Sequence, residues 1–117
     1  MPEDNLARLL QRFSHTALSH AAALDRFDAA AADRSAAILT RLFQAIIAHG
    51  IDGRERLLDL LDSDRPVVAG MAAVYSLRYN PGRCRPLLAS LAQQPGLLGF
   101  RAAAALDRWD NDEWDLD

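Results

Sequence analysis

An all-α fold of about six helices, stacked as three antiparallel pairs into a short right-handed α-solenoid, follows from three observations. No segment alternates apolar and polar residues with period two, the pattern of a half-buried strand. Apolar residues instead recur at alternating three- and four-residue spacings in two long seams, as they do along one face of a helix. The stretch from Gly53 to Trp109 contains one unit written twice, and repeats of this size mean stacked supersecondary units.

The N-terminal half, residues 3–49, reads as one helix pair. Between Pro2 and Gly50 there is no Gly or Pro. Leu6, Leu10, Phe13, Ala17, His20, Leu24 and Phe27 form the first seam, and Leu39, Leu42, Phe43, Ile46 and Ile47 form the second. One uninterrupted helix through both would be about 70 Å long, more than a domain this small can cover. The chain therefore breaks near Asp28 or Asp33, either of which can cap the second helix. Gly50 then ends that helix, and Ile51-Asp52-Gly53 is a short loop.

The repeat supplies the other four helices, at about 54–62, 65–79, 82–93 and 96–109. Its first copy, 53–80, runs Gly53-Arg54-x-Arg56-Leu57-Leu58-x-x-Leu61, turns at Asp62-Ser63-Asp64, and continues Val68-x-x-x-Ala72-Ala73. Its second copy, 82–109, runs Gly82-Arg83-x-Arg85-Pro86-Leu87-Leu88-x-x-Leu91, turns at Pro95-Gly96, and continues Leu98-x-x-x-Ala102-Ala103. The offset is 29 at the glycines and 30 from the leucines, because Pro86 is one inserted residue. Ser63 or Asp64 is placed to cap the helix that Pro66 opens, and Asn80-Pro81-Gly82 punctuates the two copies.

The unit Leu-Leu-x-x-Leu, turn, Val-x-x-x-Ala-Ala resembles a HEAT-type helix pair, in which small Ala pairs let two helices approach closely. Ala73-x-x-x-Leu77-Arg78-Tyr79-Asn80-Pro81, Pro95-Gly96-Leu97-Leu98-Gly99-Phe100 and Ala105-Leu106-x-x-Trp109 are similar to the pattern of a bacterial family of small HEAT-like helical proteins, a domain of unknown function. The resemblance spans about residues 6–109 and implies a single HEAT-like domain with no established activity.

Composition narrows the function classes. The 117 residues are half hydrophobic and one quarter charged, ordinary values for a soluble globular chain. All thirteen basic residues are Arg. The net charge of −3 hides an asymmetry: residues 107–117 carry six acids against Arg108, while the remaining chain has twelve Arg against ten acids. Cys84 is the only cysteine, so no intrachain disulfide forms and a reducing, cytoplasmic setting is expected. No apolar run is long enough to span a bilayer, so no membrane association is expected.

No set of residues assembles into catalytic, cofactor-binding or metal-binding chemistry. His15 and His20 are five positions apart, about 140° around a helix, and cannot clamp a metal as an i,i+4 pair can. His20 reads as a packed core histidine, His49 as a helix-end residue, and Cys84 as a buried, inert thiol. The acidic end lacks the turn glycine and bidentate Glu of a calcium loop. Arg54, Arg56, Arg83 and Arg85 recur with the repeat as a solvated flank paired to Glu55, Asp59 and Asp52; the alternative is a phosphate-binding stripe, which the pI near 5.5 opposes.

A protein-binding role is the reading that remains. Asp107, Asp110, Asp112, Glu113, Trp114 and Asp115 form an acidic strip, the tail 110–117, with an aromatic anchor, and Arg78 and Tyr79 offer a second surface on the helix faces. Trp109 closes the last seam as a core residue. A small acidic bacterial protein of this kind suits an immunity protein that caps the basic cleft of a toxin domain. A nucleic-acid-associated module using the Arg stripe and a structural homo-oligomer subunit are the alternatives.

Overall fold

The computed structural model describes residues 2–113. Among the described residues the chain is all-α, with six helices and no strand. The helices are α1 Pro2–Asp25, α2 Ala29–Ile47, α3 Ile51–Asp59, α4 Pro66–Ser76, α5 Pro81–Leu91 and α6 Gly96–Asp110, with a 3-10 turn at Leu60–Asp62 after α3. They group into two compact units, Met1–Asp59 and Leu60–Asp117. The boundary falls inside the stretch read from the sequence as the first repeat.

In the first unit α1 and α2 form an antiparallel hairpin, and α3 packs mainly on α2. Two pairings fix the direction: Asn5 lies 3.5 Å from His49, and His20 Nδ1 lies 3.0 Å from the Ala32 carbonyl. Leu6, Leu10, Phe13 and Ala17 of α1 are buried, as are Leu39, Leu42, Phe43 and Ile46 of α2 and Leu57 of α3. Each buried large aliphatic or aromatic side chain contributes roughly 1.5–3 kcal/mol. Asp28, rather than Asp33, caps α2, its Oδ1 accepting the Ala31 N–H at 3.0 Å. That bond holds the Asp28 carboxyl below its ordinary range, with Arg26 and Arg34 adding to the effect.

The first seam ends differently from the sequence expectation. Its last buried member is His20; Leu24 is half-buried and Phe27 is 90% exposed. The cause is a Schellman turn, in which Phe27 N–H bonds to the Leu24 carbonyl at 3.1 Å and Asp28 N–H to the Ala23 carbonyl at 2.9 Å. Phe27 takes φ +58, and this left-handed residue takes the chain out of the helical register.

Gly53 also departs from expectation, since it lies within α3 rather than in a loop. It is buried, and a Cβ there would overlap the Ile46 carbonyl oxygen. The same corner recurs in the second unit. Gly50-x-x-Gly53 and Gly96-x-x-Gly99 each start with a positive-φ glycine, +74° and +81°. Each ends with a glycine that faces a carbonyl of the preceding segment, Ile46 in α2 or Gln94 in the connection after α5. In both, the first glycine makes the turn and the second admits close backbone approach. Gly82, the sequence counterpart of Gly53, has no such role: a Cβ there would meet only Asn80 Oδ1, at 3.7 Å.

In the second unit α4 packs on the 3-10 turn and on α5, and α5 packs on α6. Val68, Ala69, Ala72, Ala73, Tyr75 and Leu77 are buried, with Cys84, Leu88, Leu91 and Ala102 opposite them. Ala72 and Ala73 are wholly inaccessible, as the close-packed Ala pair requires, whereas Ala103 of the second copy is half-buried. Neither Ser63 nor Asp64 caps α4. The N-cap residue is Arg65, without a side-chain bond, while Ser63 Oγ accepts the Arg65 N–H at 3.1 Å one step earlier. Asn80 caps α5 through Oδ1 to the Arg83 N–H at 3.1 Å.

Candidate functional site

The sequence-predicted strip begins on the last turn of α6. Asp107, Asp110, Asp112 and Glu113 are all exposed. The helix ends in a second Schellman turn, with Asp112 N–H bonded to the Trp109 carbonyl at 3.2 Å and Glu113 N–H to the Arg108 carbonyl at 2.8 Å. Asp112 occupies its left-handed position at φ +57, which an Asp tolerates better than most residues. The backbone of two strip residues is thus fixed by the helix cap. Trp114 and Asp115, the predicted anchor and its neighbour, lie outside the described residues.

One strip acid is already engaged. Arg85 Nη2 donates to both Asp110 oxygens, at 2.6 Å and 2.8 Å, across the α5–α6 pair. Both side chains are about half exposed, so the pair contributes only ~0–1 kcal/mol. Its effect is to neutralise one charge of the strip and tie the end of α6 to α5. Arg83 lies 3.6 Å from Asp62. Arg83 and Arg85 of the stripe are therefore ion-paired, and with acids other than Glu55, Asp59 and Asp52.

Trp109 is half-buried rather than fully in the core. Arg78 is exposed and Tyr79 half-buried, both in the connection between α4 and α5. The sequence reading missed a feature of α6 itself: Leu97 is 40% and Phe100 71% exposed. They sit three residues apart in its first turns and share a face with Ala104 and Asp107 further along. The available signal was the helical register, because Leu98, Gly99 and Ala102 point to the core and leave positions 97 and 100 outward.

The remaining candidates are structural. His20 is 6% exposed; since a carbonyl can only accept, its Nδ1 carries the proton that bonds Ala32, tying α1 to α2. Cys84 is fully buried, and loss of hydration pushes its thiol up to about 11. Among the described residues, no three His, Cys, Asp or Glu side chains are placed to hold a metal ion, and no helix is long and apolar enough to cross a membrane.

The six-helix arrangement is found in a solved protein. The crystal structure of the protein RPA1889 from Rhodopseudomonas palustris CGA009 matches this chain with a TM-score of 0.83, over 96% of this chain and 93% of that one, at 19% sequence identity. At that identity the likeness is one of fold. No protein-family model and no curated protein matches the sequence.

Proposed function

We propose that the chain is a non-enzymatic protein-binding module that uses α6 and the acidic strip following it to hold a basic protein surface. The observation that carries this reading is the composition of one helix. Leu97 and Phe100 leave apolar surface uncovered at its start, and Asp107, Asp112 and Glu113 expose negative charge at its end. Leu97 and Asp107 are about 15 Å apart along the axis, so one partner surface can span both. The aromatic residue gives a desolvated anchor of the kind that dominates binding energy, and the acids steer a basic partner into place. Arg78 and Tyr79 form a further contact surface, and Trp114, the anchor expected from the sequence, lies outside the described residues.

The most specific form of this proposal is a bacterial cytoplasmic immunity protein that covers the basic cleft of a toxin domain. The buried thiol of Cys84 accords with a reducing compartment. The test is to recover a partner from the native host and follow its association over a range of salt concentrations. A steered encounter loses on-rate steeply as salt rises, up to ~10–10³-fold between the limits. An on-rate independent of salt would reject the acidic surface as the site.

A further inference from the structure

The α1–α2 hairpin carries its acids only at its two ends. Residues 5–24 and 34–51 contain Arg8, Arg12, Arg34 and Arg41 and not one Asp or Glu, and all four arginines are exposed. The acids that flank these stretches are Glu3 and Asp4 at one end and Asp25, Asp28 and Asp33 at the other. Arg34 belongs to that second end, since it helps hold the Asp28 carboxyl low. Among the described residues, Arg8, Arg12 and Arg41 enter no ion pair, neither with Asp4 nor with Asp52, Glu55 and Asp59 of α3.

One contact places these three arginines. Asn5 and His49 approach to 3.5 Å at the open end of the hairpin, so the side-chain stripes that contain them border the same seam between α1 and α2. On α1 that stripe continues through Arg8, Leu9, Arg12 and Thr16, at the three- and four-residue spacings of one helix face. On α2 it runs back from His49 through Ala45, Arg41 and Ile38. The second pairing, His20 Nδ1 on the Ala32 carbonyl at 3.0 Å, completes the antiparallel register and sets Arg12 level with Arg41 and Thr16 level with Ile38. Leu9 and Ala45 are half-buried and Ile38 is 38% exposed, so aliphatic surface runs between the guanidinium groups. From Asn5 to Thr16 the seam is about 17 Å long, some three helical turns.

We propose that this seam binds an acidic amphipathic helix of a partner protein, with its aliphatic face on Leu9, Ile38 and Ala45 and its carboxylates on Arg8, Arg12 and Arg41. Guanidinium groups grip carboxylates in two-point contacts, and three turns of aliphatic seam match the apolar stripe of a docked helix. A single-stranded nucleic acid fits less well, because neither stripe offers an aromatic ring on which a base can stack. The seam belongs to the first compact unit and α6 to the second, so this inference does not rest on the role given to α6.

The probe is a synthetic helical peptide with Leu at every third or fourth position and Glu on both flanks, titrated into the full chain at low salt. It binds more tightly than a scrambled peptide of the same composition, and more tightly than its Gln-for-Glu counterpart. Arg12→Gln with Arg41→Gln weakens it at least about tenfold, and Ile38→Ser at least about threefold. Arg56→Gln with Arg65→Gln removes the same charge from exposed positions outside the seam and leaves the affinity within about twofold of the wild type. Thermal melts show that each variant folds. No binding at about 1 mM peptide, equal weakening in the two double variants, or affinity unchanged in Ile38→Ser would each overturn the proposal. Tighter binding of a thymidine oligonucleotide or of phosphatidylglycerol vesicles than of the Glu peptide would also overturn it.

Discussion

Replacing Gly53 and Gly82 with Ala, one at a time, separates the sequence repeat from the structural one. The two glycines hold the same place in the Gly-Arg-x-Arg pattern, so a strict repeat predicts equal effects. Ala in a helix normally gains ~0.8–1 kcal/mol over Gly. At Gly82 nothing lies closer to the new methyl group than Asn80 Oδ1 at 3.7 Å, so that gain is kept in large part, at ~0.4–1 kcal/mol. At Gly53 the methyl group would overlap the Ile46 carbonyl oxygen, part of the backbone at the end of α2, so α3 must shift away from α2. Overpacking of this kind costs ~1–3 kcal/mol, and because backbone yields less than a side chain the upper end applies, leaving a net loss of ~1–2 kcal/mol. With ~4–8 °C per kcal/mol for a chain of about this size, the two variants separate by roughly 10 °C in thermal melts followed by circular dichroism. A Gly53→Ala variant that melts at or above the wild type would refute the close-approach argument.

Three further outcomes follow from individual groups. Cys84 in the native protein resists an aromatic disulfide reagent at pH 8 and reacts on unfolding. Its folded value, raised to about 11 from about 9, means that its contribution is complete below pH 9 and is lost as pH rises through 11, an alkaline destabilisation of ~2–3 kcal/mol that is missing from the pH profile of Cys84→Ala. The depressed Asp28 carboxyl has the opposite sign: its contribution is present above its unfolded value, near 3.9, and disappears as pH falls through the lower folded value. Asp28→Asn, which retains an N-cap acceptor, therefore melts with a shallower acid limb than the wild type. Finally, with Arg83 and Arg85 engaged by Asp62 and Asp110, filter binding detects no salt-sensitive retention of single- or double-stranded nucleic acid; micromolar retention lost in an Arg54, Arg56, Arg83 and Arg85 to Gln variant would reinstate the phosphate-binding stripe.

The helices were legible because their signals are local: the Leu10–Phe13–Ala17 and Leu39–Phe43–Ile46 spacings, the Asn80-Pro81-Gly82 punctuation and Gly50. Periodicity located the buried stripe but not its end, which is why Phe27 was counted into a seam that a left-handed turn had already broken. Counting apolar residues also could not separate Leu98 from Leu97, neighbours about 100° apart around α6. The similarity of Gly53 to Gly82 masked the Gly50-x-x-Gly53 and Gly96-x-x-Gly99 corners, whose logic lies in a backbone carbonyl five or seven residues earlier, that of Gln94 or Ile46. For the strip, the sequence located the charge on Asp107, Asp112 and Glu113. It could not show that Asp110 is bound to Arg85, a pairing 25 residues apart that depends on the antiparallel packing of α5 and α6.

The most direct measurement of the proposed function is calorimetric titration of the partner recovered from the native host against four chains: wild type, Leu97→Ser with Phe100→Ser, Asp107→Asn with Asp112→Asn and Glu113→Gln, and Arg85→Gln. The substituted positions are exposed, so all four should fold, and chain length is unchanged so that the Glu113 cap of α6 is kept. If α6 and the acidic strip hold a basic partner, the apolar and acidic variants each bind at least about tenfold more weakly, ~1.4 kcal/mol or more, while Arg85→Gln, which frees the Asp110 carboxylate, binds as tightly as the wild type or more so. Wild-type affinity in both the apolar and the acidic variant would contradict the account and remove α6 from the interface.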